Sequence, residues 1–108
     1  MTPRLVVRAA AEADILQAAL WYDQRSLGLG TEFLRAVDVT LAEIARMPAR
    51  YPQVHGDARR ALLRRFPYGI YFVATPDLVS VVACMHARRD PRRWEERVGG
   101  SPLTSGSS

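Results

Sequence analysis

Two stretches of this chain concentrate side chains able to grip an anion. The first is RRALLRR, residues 59–65, with four Arg in seven positions. Arg59, Arg60, Arg64 and Arg65 form either a solvated edge strand whose charges discourage edge-to-edge pairing or a strip for phosphate or carboxylate groups. The second is HARRDPRRWEER, residues 86–97, in which five Arg flank one Trp. Arg88, Arg89, Arg92, Arg93 and Trp94 are suited to gripping nucleic acid or a partner protein, since a cation beside an exposed aromatic is a common arrangement at such surfaces. The structural alternative has Trp94 closing over the core while Arg92, Arg93 and Arg97 pair locally with Asp90, Glu95 and Glu96. Both readings stand, and they are not exclusive.

Other chemistry is sparse. His55 and His86 lie 31 residues apart without clustered carboxylates, so neither a metal site nor a cofactor is expected. There is no glycine-rich phosphate loop and no nucleophile elbow. Cys84 stands alone among apolar neighbours (VVACM) and reads as a buried structural thiol. All 15 basic residues are Arg, a side chain that presents a planar donor fork but serves poorly as a general base. The charge is lopsided: residues 1–58 hold six Arg against seven acids, and residues 59–108 hold nine Arg against four acids. An anionic partner is therefore expected at the second half.

These groups must be positioned by a single domain, because 108 residues leave no room for a second core. No apolar stretch approaches the roughly 18 residues of a membrane span. The opening MTPRLVVRAAAEAD has no apolar region before a cleavage site, so no signal peptide is expected and the cytoplasm is the consistent location. RLVVR (4–8) predicts a first strand. Residues 9–26 predict a helix with Ile15, Ala19 and Tyr22 on one stripe, widened by Leu16 and Leu20. Trp21 and Tyr22 are adjacent, so they cannot both point inward. Gly28 stops that helix, and Thr31 is the expected N-cap of a second helix bearing Phe33, Val37, Leu41 and Ile44. Pro48 ends it. The short LGLG link implies an antiparallel hairpin.

Residues 48–58 read as a loop. Three strands follow over 60–68, 69–74 and 78–87, the last two joined as a hairpin by TPD. In the last strand, simple alternation puts Val79, Val81, Ala83 and Met85 on one face and Leu78, Ser80, Val82, Cys84 and His86 on the other. The reading is an α+β domain of order β-α-α-β-β-β, a helical hairpin packed on a mainly antiparallel sheet, over residues 1–97. Residues 98–108 form a polar tail expected to be disordered.

The segments AEADILQAALWYDQRSLGLGTEFL, MPARYPQV, RRFPYGIYFV and HARRDPRRW occur in that order and spacing, and together they resemble the RelE/ParE toxin family, close to its ParE or plasmid-stabilisation branch. The resemblance covers residues 4–97. It implies the same β-α-α-β-β-β architecture and an operon-encoded antitoxin that neutralises the toxin in a hetero-oligomer. It implies no membrane partner, and no sequence-specific DNA binding by this chain alone. RelE-like members cut mRNA on the ribosome and carry an Arg directly after the Tyr of the second core strand. Here Gly69 follows Tyr68. ParE-like members are instead non-enzymatic poisons of DNA gyrase, and the sequence looks more like that branch.

On this resemblance, Arg88, Arg89, Arg92, Arg93 and Trp94 are expected to contact the target. Trp21, Arg59, Arg60, Arg64 and Arg65 are expected to contact the antitoxin. The first alternative is a ribosome-dependent mRNA endoribonuclease with His86 as acid or base and Arg64, Arg65 and Arg88 on phosphate. The second is a non-toxic antitoxin-binding module.

Overall fold

The computed structural model describes residues 3–88. Arg89, Arg92, Arg93, Trp94 and the tail 98–108 lie outside the described residues. The elements are β1 (Arg4–Val7), α1 (Ala9–Arg25), α2 (Leu29–Arg46), a 3-10 turn (Pro48–Arg50), β2 (Gln53–His55), β3 (Ala58–Leu62), β4 (Tyr68–Ala74) and β5 (Leu78–His86).

The strands form one sheet of order β1-β5-β4-β3-β2. β1 runs parallel to β5, in register from Arg4 opposite Leu78 to Val7 opposite Val81. The remaining pairs are antiparallel. Two helices on a mixed five-stranded sheet make the expected α+β architecture, with one strand more than the sequence suggested. That strand, β2, lies in the segment 48–58 expected to be loop. It is three residues long with Val54 as its only apolar side chain, too short to show alternation, and it pairs with β3 across the turn at Gly56 (φ 56°).

The hairpin between the helices closes more tightly than expected. α1 ends at Arg25, and Gly28 takes the left-handed conformation (φ 90°) immediately before α2. Thr31 is therefore inside the first turn of α2 and does not cap it. The cap comes from α1 instead: Asp23 Oδ1 accepts the backbone N–H groups of Gly30 at 2.7 Å and Gly28 at 3.2 Å. These are donors that a helix start leaves without intrahelical partners.

The core lies between the helices and the sheet. Ile15, Ala18 and Ala19 of α1 and Phe33, Val37 and Ile44 of α2 pack on Ile70, Phe72, Val79, Val81 and Cys84. The expected faces of β5 hold only for its first half. A bulge opposite Tyr71 and Phe72 inserts Val82 into β5, so Tyr71 pairs with Ala83 while Phe72 pairs with Val81. An inserted residue reverses alternation beyond it. Val79 and Val81 thus face the helices together with Cys84, while Ala83 and Met85 join Tyr71 on the opposite face, against Val54 and Val82.

The expected second strand (60–68) is also divided. β3 stops at Leu62, and residues 63–67 make a hairpin loop that the Leu63 N–H closes by donating to the Tyr68 carbonyl at 2.9 Å. Leu63 and Phe66 of this loop are buried, and Arg64 and Arg65 point outward.

Candidate functional site

The arginines of residues 59–65 do not form one strip, because strand alternation and the loop send them in three directions. Arg59 lies opposite Phe72 on the helix face, and its guanidinium donates to the carbonyl oxygens of Ala49 and Tyr51. It braces the segment after α2. Arg60, opposite Tyr71, belongs to the other face. A Cβ built on Gly69 would lie 3.1 Å from both Cγ and Cδ of Arg60 and 3.3 Å from the Tyr71 hydroxyl. The stem of Arg60 thus fills the space a side chain at position 69 would need.

Arg64 and Arg65 turn back to α2. Arg65 pairs with Glu32 at 2.6 Å and Arg64 approaches Glu43 at 3.7 Å. Arg65 has a positive φ of 72°, uncommon for a residue with a side chain. The arginines later in the chain divide between Arg88, which is exposed, and those outside the described residues.

At the end of the molecule where α1 finishes, a chain of aromatic contacts joins two regions that sequence reasoning treated separately. Tyr22 turns inward and stacks with Phe33 at 5.4 Å, so Trp21 is the outward member of the pair. Trp21 packs edge-on to Tyr22 at 5.1 Å, Tyr22 meets Tyr68 at 6.0 Å, and Tyr68 meets His86 at 5.3 Å. The guanidinium of Arg25 sits 4.3 Å from the Trp21 ring, a cation–π contact. His86 Nδ1 accepts the backbone N–H of Arg88 at 3.1 Å. In that arrangement a neutral imidazole carries its proton on Nε2. Trp21, His86 and Arg88 therefore share one end of the fold.

Sequence reasoning missed the carboxylates of this architecture. Glu32 and Glu43 are eleven residues apart in the sequence, a spacing that returns to one helix face, which was the available signal. Asp14 Oδ2 accepts the N–H of Cys84 just beyond the bulge at 3.0 Å, and nothing local announces a contact spanning 70 residues. Cys84 itself is buried, as expected. Among the described residues there is no cluster of His, Cys, Asp or Glu that could hold a metal ion. No helix among them is long and apolar enough to cross a membrane.

A helical hairpin on one face of a mixed five-stranded sheet defines a two-layer α+β protein. No protein-family model and no curated protein matches the chain. Its structure is similar to a chain of the chromosomal ParDE TA system from P. aeruginosa, at 12% sequence identity and a TM-score of 0.71, over 79% of this chain and 96% of that one. The fold is ParE-like.

Proposed function

We propose that this chain is the toxin of a type II toxin–antitoxin pair, acting in the cytoplasm as a non-enzymatic inhibitor of DNA gyrase and neutralised by a cognate antitoxin. The observation that carries the reading is the ParE-like fold, which spans nearly all of the neighbouring chain from a ParDE system. The surface supports the non-enzymatic branch. RNA cleavage needs one group to take the 2′-hydroxyl proton and another to protonate the leaving oxygen. Position 69 has no side chain, and the Arg60 stem crosses it. Arg65 is held by a hydrogen bond to Glu32, and His86 Nδ1 is taken by the backbone of Arg88.

Target contact falls to Arg88, Arg89, Arg92, Arg93 and Trp94, with no cofactor required. Antitoxin contact falls to Trp21, Arg60, Arg64 and Arg65, with Arg59 in a bracing role. The test is induction of the chain without its partner. Growth should stop, supercoiling by purified gyrase should be blocked, and ribosome-bound mRNA should stay intact. New codon-dependent cuts within minutes of induction would replace this reading with the nuclease one, and His86→Ala would then be the first variant to examine. Growth without any change would leave an antitoxin-binding module that is not toxic.

A further inference from the structure

The loop between β3 and β4 and the outer flank of α2 enclose a groove of about 600 Å³, lined by Glu32, Arg35, Ala36, Val39, Thr40, Arg64 and Arg65. Its construction follows from two adjacent residues. Arg64 and Arg65 have Cα atoms about 3.8 Å apart, yet their guanidinium groups reach Glu43 and Glu32, which stand about 16 Å apart along the helix axis. The positive φ at Arg65 lets consecutive side chains diverge in this way. The space between them is floored by Ala36, Val39 and Thr40. Val39 is 54% exposed, a large apolar side chain left open to solvent in the middle of a charged frame.

We propose that this groove seats an acidic segment of the partner protein, with one apolar side chain on Val39 and flanking carboxylates on Arg35 and Arg64. The occupant follows from charge complementarity. Three guanidinium groups face two carboxylates around the groove, leaving a net positive rim. Arg35 is exposed and has no ion pair among the described residues. The Arg64 side chain is 83% exposed, and its 3.7 Å approach to Glu43 is too long for a hydrogen bond. A partner carboxylate can take both Arg35 and Arg64 without breaking a strong internal contact. Arg65, hydrogen-bonded to Glu32 at 2.6 Å, stays as the wall. The volume lies within the range of pockets that enclose a drug-sized ligand, enough for several side chains.

The inference rests on the toxin–antitoxin reading and assigns that partner a seat. The probe is the protein encoded by the neighbouring reading frame, titrated against the full chain by calorimetry. Val39→Asp and the double variant Arg35→Glu/Arg64→Glu should each raise Kd at least tenfold while keeping the wild-type melting temperature, since all three positions are solvent-exposed. Leu16→Asp, an equally exposed apolar site on α1, should bind like wild type. Groove variants that bind like wild type overturn the seat and leave the reading of the pair intact. An equal loss in Leu16→Asp also overturns it, because the effect would then follow added surface charge and not the groove. Absence of any wild-type complex overturns the toxin–antitoxin reading, and this inference with it.

Discussion

Cys84 shows how a single residue couples the sheet to the helices and to pH. Burial pushes its thiol up from 9.0 to about 12, and the nearby Asp14 carboxylate adds to the shift by disfavouring a second negative charge. Below pH 9 both the folded and the unfolded thiol keep their proton, so the group contributes nothing to pH dependence. Between about 9 and 12 the unfolded chain loses the proton while the folded chain holds it, so stability falls as pH rises. The slope is at most about 1.4 kcal/mol per pH unit. Urea unfolding of wild type and Cys84→Val from pH 8 to 10.5 should show curves that run parallel at the acid end and diverge above pH 9. Curves that stay parallel throughout would refute the assignment. The same burial should make the native thiol slow toward alkylating reagents at pH 8. That Cys84 is buried was legible from its apolar neighbours. Its partner was not, because the Asp14 contact exists only once α1 has docked on β5.

Among the elements, the junction between α1 and α2 bears most directly on the frame of the proposed groove, since it sets where α2 begins. Asp23 satisfies two backbone N–H groups at that junction. A Cβ on Gly30 would collide with the Ala19 carbonyl oxygen and lie 2.9 Å from the Asp23 carboxylate. Asp23→Ala should cost about 1–2 kcal/mol, as loss of a capping group does. Gly30→Ala should cost about 1–3 kcal/mol by forcing the helices apart. Because the two residues touch, the double variant should lose less than the sum, which urea denaturation of the four proteins measures. Strict additivity would mean that Asp23 caps α2 independently of the close approach.

At this scale the sequence was informative where periodicity runs long: α1, β4 and β5 lie within a residue or two of expectation, while α2 begins three residues early, at Leu29. It was uninformative where one residue changes the geometry. The Val82 bulge carries no distinctive residue type, yet it moves Cys84 to the helix face and Ala83 and Met85 away from it. The candidate site suffered for the same reason. RRALLRR looks like one basic strip as a string, but β3 alternates its arginines and the loop at 63–67 folds two of them onto α2.

For the whole molecule, the decisive quantity is how charge is distributed over the fold. The chain carries a net +4, with the excess in its second half, and the described part of that half supplies β3, β4, β5 and the Arg64–Arg65 loop. The first half places Glu32 and Glu43 on α2, where Glu32 pairs with Arg65 and Glu43 approaches Arg64. What is left over among the described residues is a net positive charge. Such a charge accelerates encounter with an acidic partner without adding proportionally to the lifetime of the complex. Salt should therefore act on association. Raising ionic strength from 0.05 to 0.5 M shortens the screening length from about 14 to about 4 Å, and the association rate with the neighbouring-gene protein should fall about tenfold or more. The dissociation rate should change by less than about threefold, as expected where apolar contacts such as Val39 set residence time. Surface-plasmon kinetics across that salt range measure both rates. If the association rate is flat while dissociation accelerates, the complex is held by exposed ion pairs alone. The apolar floor of the groove would then have no energetic part in it.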